Sequence, residues 1–322
     1  MTKKKNLSVL TEKDVLILKK LLEDGRKSSA SISKEIDLGR EIVNYRIKRL
    51  IKENLIVKFI PKINEDTIKY KEYVILLKLN IEDDVSKQNF VRESIGNKYL
   101  VWIIKSKSGW DLIVRLYAQS IDEFKEKLKE ILDGYSDVLA RYYTIISSDE
   151  IKESEKEILS EKIFEEEIPK KDFKYVKKTD IVSLDEKNKE ILNFLEQDGR
   201  VQYKEIAEKL DISSDTVKYR IDKMKEQGVI DSFVPIINYN KLGLMQYAAI
   251  LKFMYLDTEY EKKVSQILNE CKCVMRAIRN LNSEEYFLTL IFNSEAEIEE
   301  FRALMEKSFP GKYENLELFK ID

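Results

Sequence analysis

Residues 212–230 read ISSDTVKYRIDKMKEQGVI, and residues 38–56 read LGREIVNYRIKRLIKENLI. In the first stretch Val217, Ile221 and Met224 recur at i, i+4 and i+7, the spacing of one buried face on a helix from about Ser214 to Gln227. Gly228 stops that helix, and Val229 to Ile237 alternates like a pair of short strands broken near Pro235. Upstream, Asp185 is placed as an N-cap for a helix whose stripe is Ile191, Leu192 and Leu195. Gly199, within Asp198-Gly199-Arg200, suits the left-handed position that ends such a helix. A second helix from about Gln202 to Leu210 turns Ile206, Ala207 and Leu210 inward, and Asp211-Ile212-Ser213 is the tight turn into the third. Helix, helix, tight turn, helix and β-wing is the order of a winged helix-turn-helix. The earlier stretch reads the same way, with its third helix from about Arg40 to Glu53 and Val43, Ile47 and Leu50 inward.

The two stretches belong to a longer repeat. Shifting the chain by 174 positions lays Leu10 on Leu184, Asp24-Gly25-Arg26 on Asp198-Gly199-Arg200, and Tyr45-Arg46-Ile47 on Tyr219-Arg220-Ile221. Phe59, Pro61, Ile63 and Asn64 meet Phe233, Pro235, Ile237 and Asn238 in the same frame, and Tyr73 and Lys78 meet Tyr247 and Lys252. The chain is therefore one unit used twice.

The second part of each unit has a different rhythm. In copy one, strands are expected over Glu72 to Leu79, Tyr99 to Lys105, Trp110 to Tyr117 and Val138 to Ile146, with helices over Val85 to Ile95 and Ile121 to Leu132. Ser108-Gly109 is the hairpin turn between the middle strands. In copy two the matching elements fall near Met245–Tyr255, Glu259–Glu270, Cys273–Arg279, Tyr286–Phe292, Glu295–Lys307 and Tyr313–Lys320. The order βαββαβ is a ferredoxin-like sandwich, so the fold class is α+β. The expected division is a winged helix-turn-helix at 8–64, a ferredoxin-like assembly or ligand domain at 70–148, a charged linker at 149–180, a second winged helix at 182–238 and a second ferredoxin-like domain at 244–322. Ile151, Ile158, Leu159 and Ile163 keep helical spacing, which predicts a linker helix from about Glu150 to Glu167.

Composition removes much of the enzyme menu. The 322 residues contain no histidine, which excludes Ser-His and Cys-His nucleophile pairs and HExxH metal sites. Two cysteines exclude a disulfide scaffold and a four-Cys zinc site, and no cofactor is expected. The basic start MTKKKN leads into no apolar run of signal-peptide type, and no segment approaches the ~20 apolar residues of a membrane span. A cytoplasmic protein without a membrane partner is expected. With 57 basic and 59 acidic residues the net charge is −2, so any attraction to nucleic acid must be local.

At this point a resemblance becomes specific. The openings LTEKDVLIL (10–18) and LDEKNKEIL (184–192), the DGR tripeptides, the two quoted stretches and the downstream βαββαβ order resemble the Lrp/AsnC (feast/famine) family of transcription regulators. The likeness covers nearly the whole chain, twice, and looks like the tandem form seen in archaea. It implies sequence-specific binding of double-stranded DNA, assembly through the ferredoxin-like domains, and modulation by an amino acid or other small effector. One chain would act as an intramolecular pseudo-dimer, or two chains as a homodimer. The runner-up is a small-molecule sensor whose winged helices are degenerate or bind protein. Sirohaem decarboxylases share the architecture but depend on histidines, which this chain lacks.

The candidate DNA-contacting residues lie on the third helices. In copy one they are Arg40, Glu41, Asn44, Tyr45, Arg46, Lys48 and Arg49; residues 40–53 hold five basic residues against two acidic ones. In copy two they are Ser214, Asp215, Lys218, Tyr219 and Arg220, a less basic set. Arg46 and Arg220 flank the buried stripe, where phosphate contact and an internal salt bridge are both open. Tyr45 and Tyr219 are open between DNA contact and packing at the core edge. The resemblance places an effector near a Gly-Asp turn, which Gly109 and Asp111 retain; copy two has Asn282-Ser283-Glu284-Glu285 there. Cys271 and Cys273 form a C-x-C pair that reads as packing, with sensitivity to oxidation as the other reading.

Overall fold

A computed structural model describes residues 10–81, 102–133, 136–153 and 181–321. Copy one runs α1 (Glu12–Glu23), α2 (Ser29–Glu35), α3 (Arg40–Lys52), β1 (Ile56–Ile63), α4 (Glu65–Ile68), β2 (Lys71–Leu79), β3 (Trp102–Lys105), β4 (Leu112–Ala118), α5 (Ile121–Asp133) and β5 (Leu139–Glu153). Copy two runs α6 (Glu186–Gln197), α7 (Tyr203–Leu210), α8 (Ser214–Glu226), β6 (Ile230–Ile237), a 3-10 turn (Tyr239–Leu242), β7 (Met245–Phe253), α9 (Thr258–Glu270), β8 (Val274–Asn280), β9 (Glu285–Phe292), α10 (Glu295–Ser308) and β10 (Tyr313–Lys320). The expected helix Val85 to Ile95 lies outside the described residues.

Like parts of the two copies pack together. One compact unit is Met1–Lys69 with Leu159–Gly243, and the other is Tyr70–Ile158 with Leu244–Asp322. In the first unit the stripes expected from sequence are inside: Val43, Ile47 and Leu50 in α3, and Val217, Ile221 and Met224 in α8 are all buried. The wing differs from expectation. Each copy supplies a single strand, and β1 pairs antiparallel with β6 of the other copy. Ile60 faces Val234, flanked by Phe59 opposite Pro235 and Pro61 opposite Phe233. Because Phe59 and Phe233 are equivalent residues, as are Pro61 and Pro235, the ladder is symmetric about the Ile60–Val234 pair. A two-stranded ribbon leaves each strand an open outer edge, where a proline without N–H breaks no bond.

In the second unit both ferredoxin-like halves share an antiparallel sheet of order β10-β7-β9-β8-β5-β2-β4-β3. Alternation along the central strands sorts two cores. Tyr73, Ile75 and Leu77 join Phe124, Leu128 and Ile131 of α5, whereas Val74 and Leu76 join Ala248, Ile250, Ile278 and Phe287 of copy two. The second cluster holds the halves together.

The segment after Ile146 corrects the linker reading. β5 continues to Glu153, and its residues 147–153 pair with 280–276 of β8. Ile151 keeps helical spacing with Ile158 in sequence, but its side chain packs against copy two's core, so the open β8 edge outcompetes a helix there. Residues 154–167 of the expected helix lie outside the described residues.

A buried charge cluster crosses the same junction. Glu72 of β2 is fully buried and accepts hydrogen bonds from Arg115 of β4 and from Arg276 of β8, whose Nη2 lies 2.5 Å away. Arg276 Nε also donates to Glu150 at 2.7 Å.

Candidate nucleic-acid interface

Helices α2 and α3 form one helix-turn-helix, α7 and α8 the other. Asp211 turns the chain in the left-handed region (φ 52°), and the Ser213 hydroxyl accepts the Thr216 N–H to cap α8. The outward face of α3 presents Arg40, Glu41 and Lys48 as exposed residues, with Asn44 half-buried beside them. On α8, Ser214, Asp215 and Lys218 are exposed. Tyr45 is 67% exposed and Tyr219 64%, which removes core-edge packing as the reason for either.

Three of the arginines are engaged in ion pairs within their own heads. Arg46 Nη1 lies 2.9 Å from Asp14 Oδ1 and 2.8 Å from the Thr11 hydroxyl, and Arg49 Nη2 lies 2.7 Å from Asp14 Oδ2. Burial pushes the Asp14 carboxyl up, but bonds from Thr11 and then from the two guanidinium groups hold it below the usual range. Arg220 Nη1 lies 2.7 Å from Asp185 Oδ2 and 2.9 Å from the Asn188 side-chain carbonyl. The geometry is kept while the carboxylate moves from the third helical residue (Asp14) to the cap (Asp185). Both Arg46 and Arg220 make the salt bridge in this structure. Arg49, expected on the outward face, is half-buried in the same cluster. Sequence reasoning missed Asp14; its signal was the capping-box spacing Thr11-x-x-Asp14, present in full.

The DGR tripeptides join the two heads. Gly25 donates its N–H to the Phe233 carbonyl at 2.6 Å, and Gly199 donates to the Phe59 carbonyl at 2.7 Å. Arg26 Nη2 reaches the Val201 carbonyl at 2.8 Å, with its guanidinium 5.1 Å from the Phe233 ring centre. Arg200 donates through Nε to the Gly25 carbonyl at 2.5 Å and lies 4.3 Å from the Phe59 ring centre. Gly199 is not in the left-handed region expected of it. Its glycine is required by close approach, since a Cβ there would come within 2.9 Å of the Phe59 carbonyl.

Gly109 and Asp111 are brought together at the β3–β4 turn, in the other unit. Gly109 has φ +72°, and a Cβ on it would meet the Phe319 ring at 2.6 Å. Asp111 accepts the Leu79 N–H at 3.0 Å and pairs with Lys78 at 3.1 Å. Its equivalent in copy two is Glu285, which pairs with the equivalent Lys252 at 3.7 Å and accepts a bond from Tyr143. Beside this turn, Trp110, Arg141, Tyr142, Tyr143, Ile250, Lys252 and Glu317 line an open cleft of about 340 Å³. Arg141 stacks 4.9 Å from the Trp110 ring centre. Apart from Lys252, which the repeat lays on Lys78, nothing in the local spacing marked these residues, because three strands from two copies converge on them. Among the described residues no helix is long and apolar enough to cross a membrane.

A winged helix-turn-helix DNA-binding family model matches residues 10–57 and again 184–231. The HTH-type transcriptional regulator PF1231 of Pyrococcus furiosus is 36% identical over 135 residues, 41% of this chain and 86% of that protein. The chain belongs to the Lrp/AsnC family of transcription regulators. A second P. furiosus regulator of HTH type, PF0250, is 30% identical to this family member over 128 residues, which are 38% of this chain and 85% of the relative. For PH0140 of Pyrococcus horikoshii the match is 36% over 89 residues, 28% of this chain, so the chain spans about half (53%) of that relative's length. The solved structure of the siroheme decarboxylase NirDL has a TM-score of 0.59 at 12% identity, covering 96% of this chain and 90% of that one. A likeness at that identity concerns the fold alone.

Proposed function

We propose that this family member is a sequence-specific regulator of transcription that binds double-stranded DNA through α3 and α8. The observation that carries the reading is the matched exposure of Tyr45 and Tyr219 at equivalent positions of the two third helices, on heads locked together by the Gly25, Gly199, Arg26 and Arg200 contacts. Third helices of this kind enter successive major grooves, which sets half-sites ~34–36 Å apart or multiples of it. Arg40 and Lys48 neutralise phosphate, and Asn44 reads a base edge. In copy two the equivalent positions are Ser214, Asp222 and Lys218, so the two heads ask for unlike half-sites. The role belongs to the cytoplasm, and the chain acts without enzymatic chemistry of its own.

The finer reading is modulation by an amino acid. The cleft offers Arg141 and Lys252 to a carboxylate and Glu317 to an ammonium group, with Trp110 and Ile250 as apolar walls. It lies beside the turn that holds Gly109 and Asp111.

The test is titration of labelled genomic DNA fragments with the purified chain at increasing salt. Retardation should fall with a log–log slope near −0.9 for each phosphate contacted. Absence of retardation at low salt, with amino-acid binding intact, would leave the sensor reading in its place.

A further inference from the structure

We propose that Cys271 and Cys273 form a peroxide-reactive dithiol that closes reversibly into an intramolecular disulfide. Cys271 follows the last residue of α9 and Cys273 precedes β8, so the two bracket a tight turn closed by the Val274 N–H on the Cys271 carbonyl at 3.2 Å. The turn brings the sulfur atoms to 3.0 Å, closer than thiol packing requires and within about 1 Å of a covalent S–S bond. Both residues are half-buried, so a small oxidant can reach them.

The surroundings favour a thiolate at Cys271. The Cys273 thiol hydrogen-bonds it, and the buried Lys152 ammonium donates to the Cys271 carbonyl at 2.7 Å and to the Leu268 carbonyl at 3.3 Å. Against the opposing push of burial, these bring the Cys271 thiol down to about 6, with the Cys273 bond the largest contribution. Lys152 comes from copy one's strand β5, so the surroundings of the pair draw on both copies where that strand joins the sheet of copy two.

The chemistry balances with one hydrogen peroxide. The Cys271 thiolate attacks one peroxide oxygen; the O–O bond breaks, and the departing hydroxide takes a proton to become water. The resulting sulfenic acid is attacked by the Cys273 sulfur, which forms the S–S bond and expels the oxygen as a second water. Two thiols lose two electrons, and the peroxide gains them. A disulfide across one intervening residue is strained, and strained disulfides are the readily reduced ones.

These are the chain's two cysteines, so total thiol content reads this site directly. The folded full-length protein is treated with a small excess of hydrogen peroxide, then unfolded for thiol titration and intact mass. Both thiols should disappear together, with a mass lower by two hydrogen atoms, no chain-linked dimer on a non-reducing gel, and full recovery with dithiothreitol. Cys273→Ser should stop at a sulfenic acid that a cyclic 1,3-diketone traps, and Cys271→Ser should react at least tenfold more slowly. Gain of oxygen without loss of hydrogen in the native chain, a disulfide between chains, or thiols that survive the peroxide would each overturn the proposal, whatever the outcome for DNA binding.

Discussion

Gly199 donates its backbone N–H to the carbonyl of Phe59 at 2.7 Å, and the equivalent Gly25 repeats the bond to Phe233 at 2.6 Å. Each glycine ends a first helix in one copy and touches the strand of the other. Both DGR motifs are thus contact points of the head pair.

Gly199→Ala and Gly25→Ala should therefore destabilise the paired heads. The added Cβ at Gly199 meets the Phe59 backbone carbonyl at 2.9 Å, and at Gly25 it meets the Phe59 ring at 2.8 Å and the Phe233 carbonyl oxygen at 3.0 Å; the backbone contacts are ones a rotamer change cannot relieve. A cost of about 1–3 kcal/mol is expected, in the range of overpacked sites, read as a lower urea midpoint. Gly228→Ala is the contrast, since only its φ of +70° opposes a side chain and nothing lies within 4 Å. Equal shifts for all three would contradict the contact role.

Arg46→Ala should cost stability and leave the salt dependence of DNA binding unchanged. Its guanidinium neutralises the buried Asp14 carboxylate, so removal leaves that charge with Arg49 alone. A loss of about 1–3 kcal/mol is expected by chemical denaturation. A flatter salt slope with normal stability would instead place Arg46 on phosphate.

Lys48→Ala, by comparison, should flatten the salt slope by about one unit, with normal folding. Asn44→Ala should cost ~1–3 kcal/mol of binding and relax one base position, seen by comparing single-base variants of a bound site. Uniform weakening on all sequences would make Asn44 a backbone contact.

Acid should loosen the second unit through Glu72. Burial raises its pKa, but the Arg115 and Arg276 guanidinium groups outweigh that and hold it far below the usual carboxylate range. With the folded pKa depressed, the unfolded chain takes up the proton first. The stabilisation is complete above the unfolded pKa of ~4.3 and is lost as pH falls towards the folded one. Glu72→Gln should lower stability at pH 7 by about 3–5 kcal/mol and flatten its fall between about pH 5 and pH 3. An unchanged acid slope in the variant would point to other carboxylates.

Much was legible in the linear chain because the signals are local. Helical periodicity placed Val217, Ile221 and Met224 in the core, and the 174-residue offset carried each assignment from one copy to the other. Strand order in the second half followed from alternation and from turn residues such as Gly109. The outward helix faces followed from the same periodicity, with Tyr45 and Tyr219 among the exposed residues.

What tertiary structure alone decided concerns partners far apart in sequence. That β1 pairs with β6, that β5 runs on to meet β8, and that Gly199 is a contact glycine all depend on a second copy 174 residues away. The arginines show the same limit within one copy. Periodicity says that Arg46 and Arg49 leave the core stripe, but not that a buried Asp14 on another helix waits there to neutralise them. Local spacing determines which face a side chain occupies; which charge or carbonyl meets it is set only by tertiary packing, between helices of one copy for Arg46 and between the two copies for Gly199.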